Sequence, residues 1–287
     1  MKYSATIFSF LVISISSFAQ TRMDQLSNLK VWIRMDSMKV ADCSGVPCAD
    51  GIAVDSIKNL GSLASEFFAN AAGTIPTYKP AISPNGLPGL NMDGNDDRII
   101  FQGTKANYKF LHDGTSSYTI VIVFQLKSIG QAQFLLMDNS NTSDPGFMIS
   151  LNGLNQVVHL ISKDTGTHPI NNPTSNTFGN ADSVQIISVT YNTAGSDTSR
   201  IRVNNQMQTF SIAASTYSSN DSQTNLLVGA DASDIPNACD AYIYEIGIYS
   251  DLKTEVELSN LYDGLIEHWV GSASEPPSRR RGIIINN

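Results

Sequence analysis

The sequence predicts an all-β protein: an antiparallel two-sheet β-sandwich, or a barrel, with one helix near the C-terminal end. Three observations carry this. Short alternating or apolar runs rich in Val, Ile, Tyr and Phe recur along the chain; Asn, Asp, Gly, Ser and Pro cluster between them; and helical periodicity is nearly absent before Thr254. The chain has 287 residues, 41% hydrophobic and 15% charged, enough for one large sandwich without covalent staples.

The elements follow in order. Met1 to Ala19 reads as a signal peptide: Lys2 gives the positive start, Ile7–Ile15 the apolar stretch, and Ser17 and Ala19 the small residues of a cleavage site. The mature chain is expected to begin at Gln20 and to be secreted or displayed at the cell surface. Leu29–Arg34 alternates as a first strand, and Gly51–Leu60 reads as a second. Between them, Cys43 and Cys48 flank Gly45 and Pro47, a small loop suited to a disulfide in an oxidising compartment. Cys239 stands apart, as a buried or free thiol. Pro76, Pro80, Pro84 and Pro88 mark an irregular stretch, because proline cannot sit in a central strand. Leu90–Phe101 places two apolar arms around Asp93-Gly94-Asn95-Asp96-Asp97, with Gly94 and Asn95 expected at the positive-φ positions of a tight turn.

Tyr118–Leu126 is the most apolar run and predicts a central strand buried on both faces. Strands are expected at Phe134–Met137, Phe147–Leu151, Val157–Ile161, Val184–Tyr191, Ile201–Gln208, Leu226–Gly229 and Ala241–Tyr249. Thr254 with Glu257 forms a capping box, and Val256, Leu261, Leu265 and Trp269 recur at helical spacing to Val270. Ser272–Asn287, with Pro276-Pro277 and Arg279-Arg280-Arg281, is expected to be a disordered tail or linker.

Four pieces, in order, resemble the LamG-like (concanavalin A-like lectin/glucanase) jelly-roll domains of secreted bacterial proteins. They are Val31–Asp36, the Asn85-Gly86-Leu87-Pro88…Asp93-Gly94-Asn95-Asp96-Asp97 segment, Ser117–Phe124, and Leu227–Ala230 followed by Ile243–Tyr249 and the helix ending in His268-Trp269. The resemblance covers about residues 26 to 270 and implies a two-sheet antiparallel jelly roll over residues 20–271 with one C-terminal helix. The Cys43–Cys48 loop is not part of the pattern. The function the resemblance most often implies is carbohydrate binding or adhesion.

Charge narrows the partners. Losing Lys2 leaves 17 basic against 26 acidic side chains, a formal charge of −9. An acidic body without a basic cluster argues against nucleic acid and an anionic membrane surface, and no later run is long enough to insert in a bilayer. The expected partner is a glycan or another cell-surface ligand.

Catalysis by paired carboxylates needs two acidic groups on one strand face, and the compact Glu-x-Asp-x-x-Glu string of the glucanases is missing. Glu245 reads as a structural position in the closing strand. His112, His159, His168 and His268 lack nucleophile context, and His159 fits a strand interior. Asn141 and Asn220 begin glycosylation sequons. Asp93, Asp96 and Asp97 offer oxygen ligands suited to calcium; a structural turn capped by their own backbone, with Asp97 paired to Arg98 or another base, is preferred. No other cofactor is expected. A sugar site needs an aromatic platform with amides and carboxylates around it, and turn-rich segments offer Tyr78, Tyr108, His112, Asp138, Asn139, Asn141, Asn171, Asn172 and Tyr217. A glycoside hydrolase or polysaccharide lyase of the same fold, and a structural surface or filament component, are the alternatives.

Overall fold

The computed structural model describes residues 21–37, 41–42, 48–63, 66–69, 73–138, 145–163, 170–177, 181–193, 198–211, 217–222, 224–229 and 237–271. Residues 1–20, with the expected signal peptide, Cys43, and residues 272–287 lie outside the described residues.

The first strands in chain order are β1 (Leu29–Arg34), β2 (Ala41–Asp42), β3 (Ser56–Lys58), β4 (Glu66–Ala69), β5 (Thr77–Lys79), β6 (Gly89–Asp93) and β7 (Arg98–Phe101). The middle of the chain supplies β8 (Tyr118–Leu126), β9 (Gln133–Met137), β10 (Gly146–Leu151), β11 (Gln156–Ser162) and β12 (Ile170–Thr177). The last are β13 (Val184–Asn192), β14 (Thr198–Val203), β15 (Gln206–Ser211), β16 (Leu227–Gly229) and β17 (Asp240–Tyr249), before helix α1 (Glu255–Trp269). Among the described residues, an eight-stranded sheet runs β15-β14-β13-β8-β17-β6-β5, with β1 also on β17. A nine-stranded sheet runs β12-β11-β10-β9-β16-β7-β4-β3-β2. Every pairing is antiparallel, and the inward side chains of both sheets form one core, including Ile33, Leu90, Phe101, Ile120, Phe124, Phe147, Ile187 and Ile246. The expected all-β sandwich with one C-terminal helix is the architecture observed.

Strand β8 is buried at all nine positions. Tyr118, Ile120, Ile122, Phe124 and Leu126 enter the sandwich core, while Val121 and Val123 join a second apolar layer on the outer face of the eight-stranded sheet. That layer exists because α1 lies there, contributing Leu258, Leu261, Leu265 and Trp269. The Thr254/Glu257 capping box forms as expected, with the Glu257 N–H donating to the Thr254 hydroxyl at 3.2 Å. Val256, however, is 69% exposed, and Leu258 takes the place on the buried stripe that was assigned to it. Gly264 permits the close approach of the N-terminal segment, since a Cβ there would lie 2.3 Å from the Thr21 carbonyl oxygen.

Several local readings are corrected. Of Gly51–Leu60, only Ser56–Lys58 forms a named strand, with Ala53 making one isolated bridge. Ile201–Gln208 is two strands, because Asn204 and Asn205 both take positive φ (46° and 67°) and close the β14–β15 hairpin. The Asp93–Asp97 segment is a tight turn, and because β6 belongs to one sheet and β7 to the other, it carries the chain across the sandwich. There Gly94 has φ +81°, while Asn95 is not in the left-handed region. The strands β2, β4, β5 and β12 had no reading of their own; β12 contains Pro173 and sits at a sheet edge, where proline is tolerated.

Candidate ligand-binding face

The outer face of the eight-stranded sheet has a covered half and an open half, divided along β17. A register shift between Ile243 and Glu245 marks the place where the strand beside β17 changes. Residues Asp240–Ile243 pair with β6, and Glu245–Tyr249 pair with β1.

On the covered side, Glu245 is 2% exposed. The indole N–H of Trp32 donates to its Oε1 and that of Trp269 to its Oε2, each at 2.8 Å. These are the only tryptophans in the sequence. Burial raises the Glu245 carboxyl above its ordinary value, opposed by the Trp32 and Trp269 hydrogen bonds and then by the charge of Arg34. Beside it, Arg34 donates to both Asp36 oxygens at 2.6 and 2.7 Å, and His268 Nε2 meets Asp36 Oδ2 at 2.7 Å. Burial works to raise the Asp36 carboxyl, but hydrogen bonds from His268 and Arg34 hold it at about 2. His268 stands in the last turn of α1 and reaches back to Asp36. The arrangement ties β1, β17 and the end of α1 together.

The open side is built by strand register. Thr77 lies opposite Asn91, Asn91 opposite Tyr242, and Tyr242 opposite Gln125, so four adjacent strands present one row outward. Asp93 and Asp240 are paired in the next row, and Lys127 continues from β8 beside them. Tyr242, Asn91, Thr77, Lys79, Lys127 and Asp240 are all partly exposed.

Their side chains are held in place. The Asn91 amide donates to the Thr77 hydroxyl at 3.0 Å, and Lys127 donates to Asn91 Oδ1 at 3.1 Å. Lys127 also pairs with Asp240 at 2.8 Å, and its ammonium is 5.5 Å from the Tyr242 ring centroid. Lys79 pairs with Asp50 at 2.9 Å. The face therefore combines an aromatic ring with fixed donors and acceptors, and each lysine is matched by an aspartate. Such a surface suits a hydroxyl-rich ligand.

The residues named from sequence are placed elsewhere. Tyr78 points inward against the core while its neighbours Thr77 and Lys79 face out. Tyr108, His112 and Asp138 are fully buried, so their placement is interior and not on a loop surface. They gather with the half-buried Tyr217 near one end of the sandwich: His112 Nδ1 is 3.3 Å from Asp138 Oδ2, and Tyr217 packs on Gly114. Asn171 is exposed on edge strand β12, beside Asn172. Asn139 and Asn141 lie outside the described residues. The signal for Tyr242 was the alternation of Ala241-Tyr242-Ile243, readable only once β17 is known to be half uncovered.

At the acidic turn, ligand oxygens of Asp93, Asp96 and Asp97 lie within 4.8 Å of one another. Asp93 accepts from the backbone of Asn95 (2.9 Å) and Asp96 (3.4 Å), and Asp97 Oδ2 accepts from the Asp93 N–H at 2.9 Å. This is the self-capped turn expected, except that Asp96 contributes its N–H and that Asp97 takes a backbone donor. Burial, then the charge of Asp93, raises the Asp97 carboxyl to about 6.

No protein-family model and no curated protein matches this sequence. Solved structures do. The binding domain of Paraclostridial Mosquitocidal Protein 1 aligns with TM-score 0.59 and 16% identity over 87% of this chain and 56% of that one. The botulinum neurotoxin serotype D binding domain aligns at 0.57 and 10% over 83% and 51%. Trypanosoma rangeli sialidase, solved with sialic acid, aligns at 0.56 and 13% over 86% and 34%. The chain thus spans about half the length of the two binding-domain structures and a third of the sialidase. At these identities the likeness is one of fold: a β-sandwich shared with those structures. Among the described residues, no helix is long and apolar enough to cross a membrane.

Proposed function

We propose that this chain is an exported, non-catalytic LamG-like module that binds a glycan, or another hydroxyl-rich surface ligand, through the open face around Tyr242. The observation that carries the reading is the Thr77–Asn91–Tyr242 row, in which adjacent strands hold an aromatic ring beside an amide and a hydroxyl, all partly exposed. The pairing of Lys79 with Asp50 and Lys127 with Asp240 favours an uncharged sugar over an acidic one. The binding domains among the structural neighbours are consistent with a ligand-binding role. A retaining or inverting glycoside hydrolase would need a free carboxylate pair, whereas both oxygens of Glu245 are engaged by indoles.

The test is a glycan array on the full chain, with and without calcium, alongside Tyr242→Ala. Binding of neutral glycans that falls at least about tenfold in the variant, roughly 1.4 kcal/mol, is expected. Binding unaffected by Tyr242→Ala would overturn the assignment of the face. Export with cleavage before Gln20 and a Cys43–Cys48 bond belong to the same reading. Intact mass of the secreted protein and thiol labelling under non-reducing denaturation check them, with Cys239 the one thiol expected to label.

A further inference from the structure

We propose that His112 is a buried imidazolium whose two N–H groups latch the 217–222 segment to the end of the sandwich, and that the latch opens when the pair it forms with Asp138 loses a proton. His112 follows the short 3₁₀ helix Lys105–Leu111 and is fully buried. Its Nδ1 is 3.3 Å from Asp138 Oδ2, and its Nε2 is 3.1 Å from the Asn220 carbonyl oxygen. The carbonyl can only accept, so Nε2 carries a proton. A carboxylate oxygen accepts as well, so in the proposed pair Nδ1 is the atom that carries the second proton. A neutral ring would set its Nδ1 lone pair against a carboxylate oxygen inside the core; neither Nδ1 nor Oδ2 has a hydrogen-bond partner among the described residues, so the 3.3 Å contact holds by charge, and losing that charge is costly where the groups are buried. Asp138 is held for this contact from its other side, because Oδ1 accepts the Phe147 N–H at 2.6 Å.

His159 supplies an internal contrast. It too is fully buried, but Nε2 meets the Tyr118 hydroxyl and Nδ1 the Ser199 hydroxyl, both at 2.7 Å. A hydroxyl can donate or accept, so a neutral ring satisfies both contacts, and burial pushes this histidine down to about 3.

The other groups around His112 come from each neighbouring element. The 3₁₀ helix adds Lys109, which approaches Asp221 to 4.0 Å, and Tyr108, whose buried hydroxyl has no hydrogen-bond partner among the described residues. Asp113 follows in the chain and accepts from the Thr115 and Ser116 N–H groups. Tyr118 comes from β8, and Tyr217 and Asp221 from the latched segment.

Burial opposes the charge on His112, but the hydrogen bond and charge of Asp138, with the Asn220 carbonyl, carry it above the ordinary histidine value. A raised folded-state value means that the latch contributes fully below about pH 6.5, the unfolded value, and is lost as pH rises through the folded one.

Two measurements on the full chain test this. Imidazole ¹⁵N shifts of wild type report the ring directly: His112 is expected doubly protonated at pH 6 and His159 neutral. Hydrogen exchange of the 217–222 amides is expected to accelerate as pH rises through the His112 transition, after correction for intrinsic exchange. His112→Asn and Asp138→Asn should exchange fast at every pH and lose that step. A neutral His112 at pH 6, or a 217–222 segment whose corrected exchange does not change with the His112 titration, overturns the proposal. The first readout needs no variant, so a failure of either substitution to fold leaves the test intact.

Discussion

Two halves of one sheet face, built on the same strands, differ in what happens to their polar groups. Under α1, Glu245 is closed off by Trp32 and Trp269, and Val121, Val123, Ile186 and Tyr249 form an apolar layer. A few residues away along β17, Tyr242, Lys127, Asn91 and Asp240 hold one another yet stay partly exposed. The helix makes the difference. Where its leucines land, a carboxylate becomes an internal tie; where they do not, the same sheet keeps a polar surface with its hydrogen-bonding groups still reachable. Stability should therefore depend on the first half and ligand binding on the second.

The largest expected effect breaks the covered half. Trp269→Ala removes a fully buried ring that stacks on Tyr244 at 5.2 Å and leaves Glu245 Oε2 without its donor. A loss of about 3–5 kcal/mol is expected from the cavity alone. Urea denaturation should show it, and a loss below about 1 kcal/mol would mean that the tie contributes little. Glu245→Gln is gentler, since the amide oxygen still accepts one indole, and it should leave glycan binding unchanged. Reducing-sugar release by wild type that disappears in folded Glu245→Gln would instead make this carboxylate catalytic.

The reverse experiment is Tyr242→Ala. Its ring is only partly buried, so stability should change by about 1 kcal/mol or less, while affinity falls by the tenfold or more stated above. A folded variant that loses several kcal/mol of stability but keeps its ligand affinity would invert the division of labour.

Acid should act first on the covered half. Asp36 is held at about 2 by His268 and Arg34 against its burial, so its folded value lies below the unfolded one near 3.9. The stabilisation is present above pH 4 and lost as pH falls toward 2. Because the pair is partly solvated, about 1 kcal/mol is expected. Thermal melts of wild type against Asp36→Asn between pH 2 and 5 should converge at the acid end; parallel curves would remove Asp36 from the account.

Much of this fold was legible because local patterns were decisive. Tyr118–Leu126 could only be a doubly buried strand, and Thr254 with Glu257 could only begin a helix. What was not legible is non-local. The arms of the Asp93–Asp97 turn look like a hairpin, but nothing in them states that Leu90 pairs with Ile243 while Ile99 pairs with Val228. The meeting of Trp32 and Trp269 on Glu245 joins positions 237 residues apart in sequence. The candidate face was missed for a related reason: aromatic and amide residues were sought on loops, while the open row stands on strands. On β5 the choice of Tyr78 over Thr77 and Lys79 selected the inward-facing residue, since one position along a strand reverses the face.

The smallest effects lie at the acidic turn where the open half ends. Asp93 accepts two backbone N–H groups of its own turn, so Asp93→Ala should cost about 1 kcal/mol, the usual loss for a side-chain cap. Asp97 is the finer probe. Burial and the neighbouring Asp93 charge raise its carboxyl to about 6, above the unfolded value near 3.9. Its contribution is therefore full below about pH 4 and declines as pH rises through 6, so ionised Asp97 is a weak liability at neutral pH. Asp97→Asn keeps an oxygen for the Asp93 N–H and cannot ionise. Relative to wild type it should gain stability between pH 4 and pH 7, by under about 1 kcal/mol given the partial hydration of the turn. Melting temperatures of the two proteins across that range decide the matter: a constant difference would mean that Asp97 titrates as an ordinary surface carboxylate, and that its burial beneath the turn does not disfavour its charge.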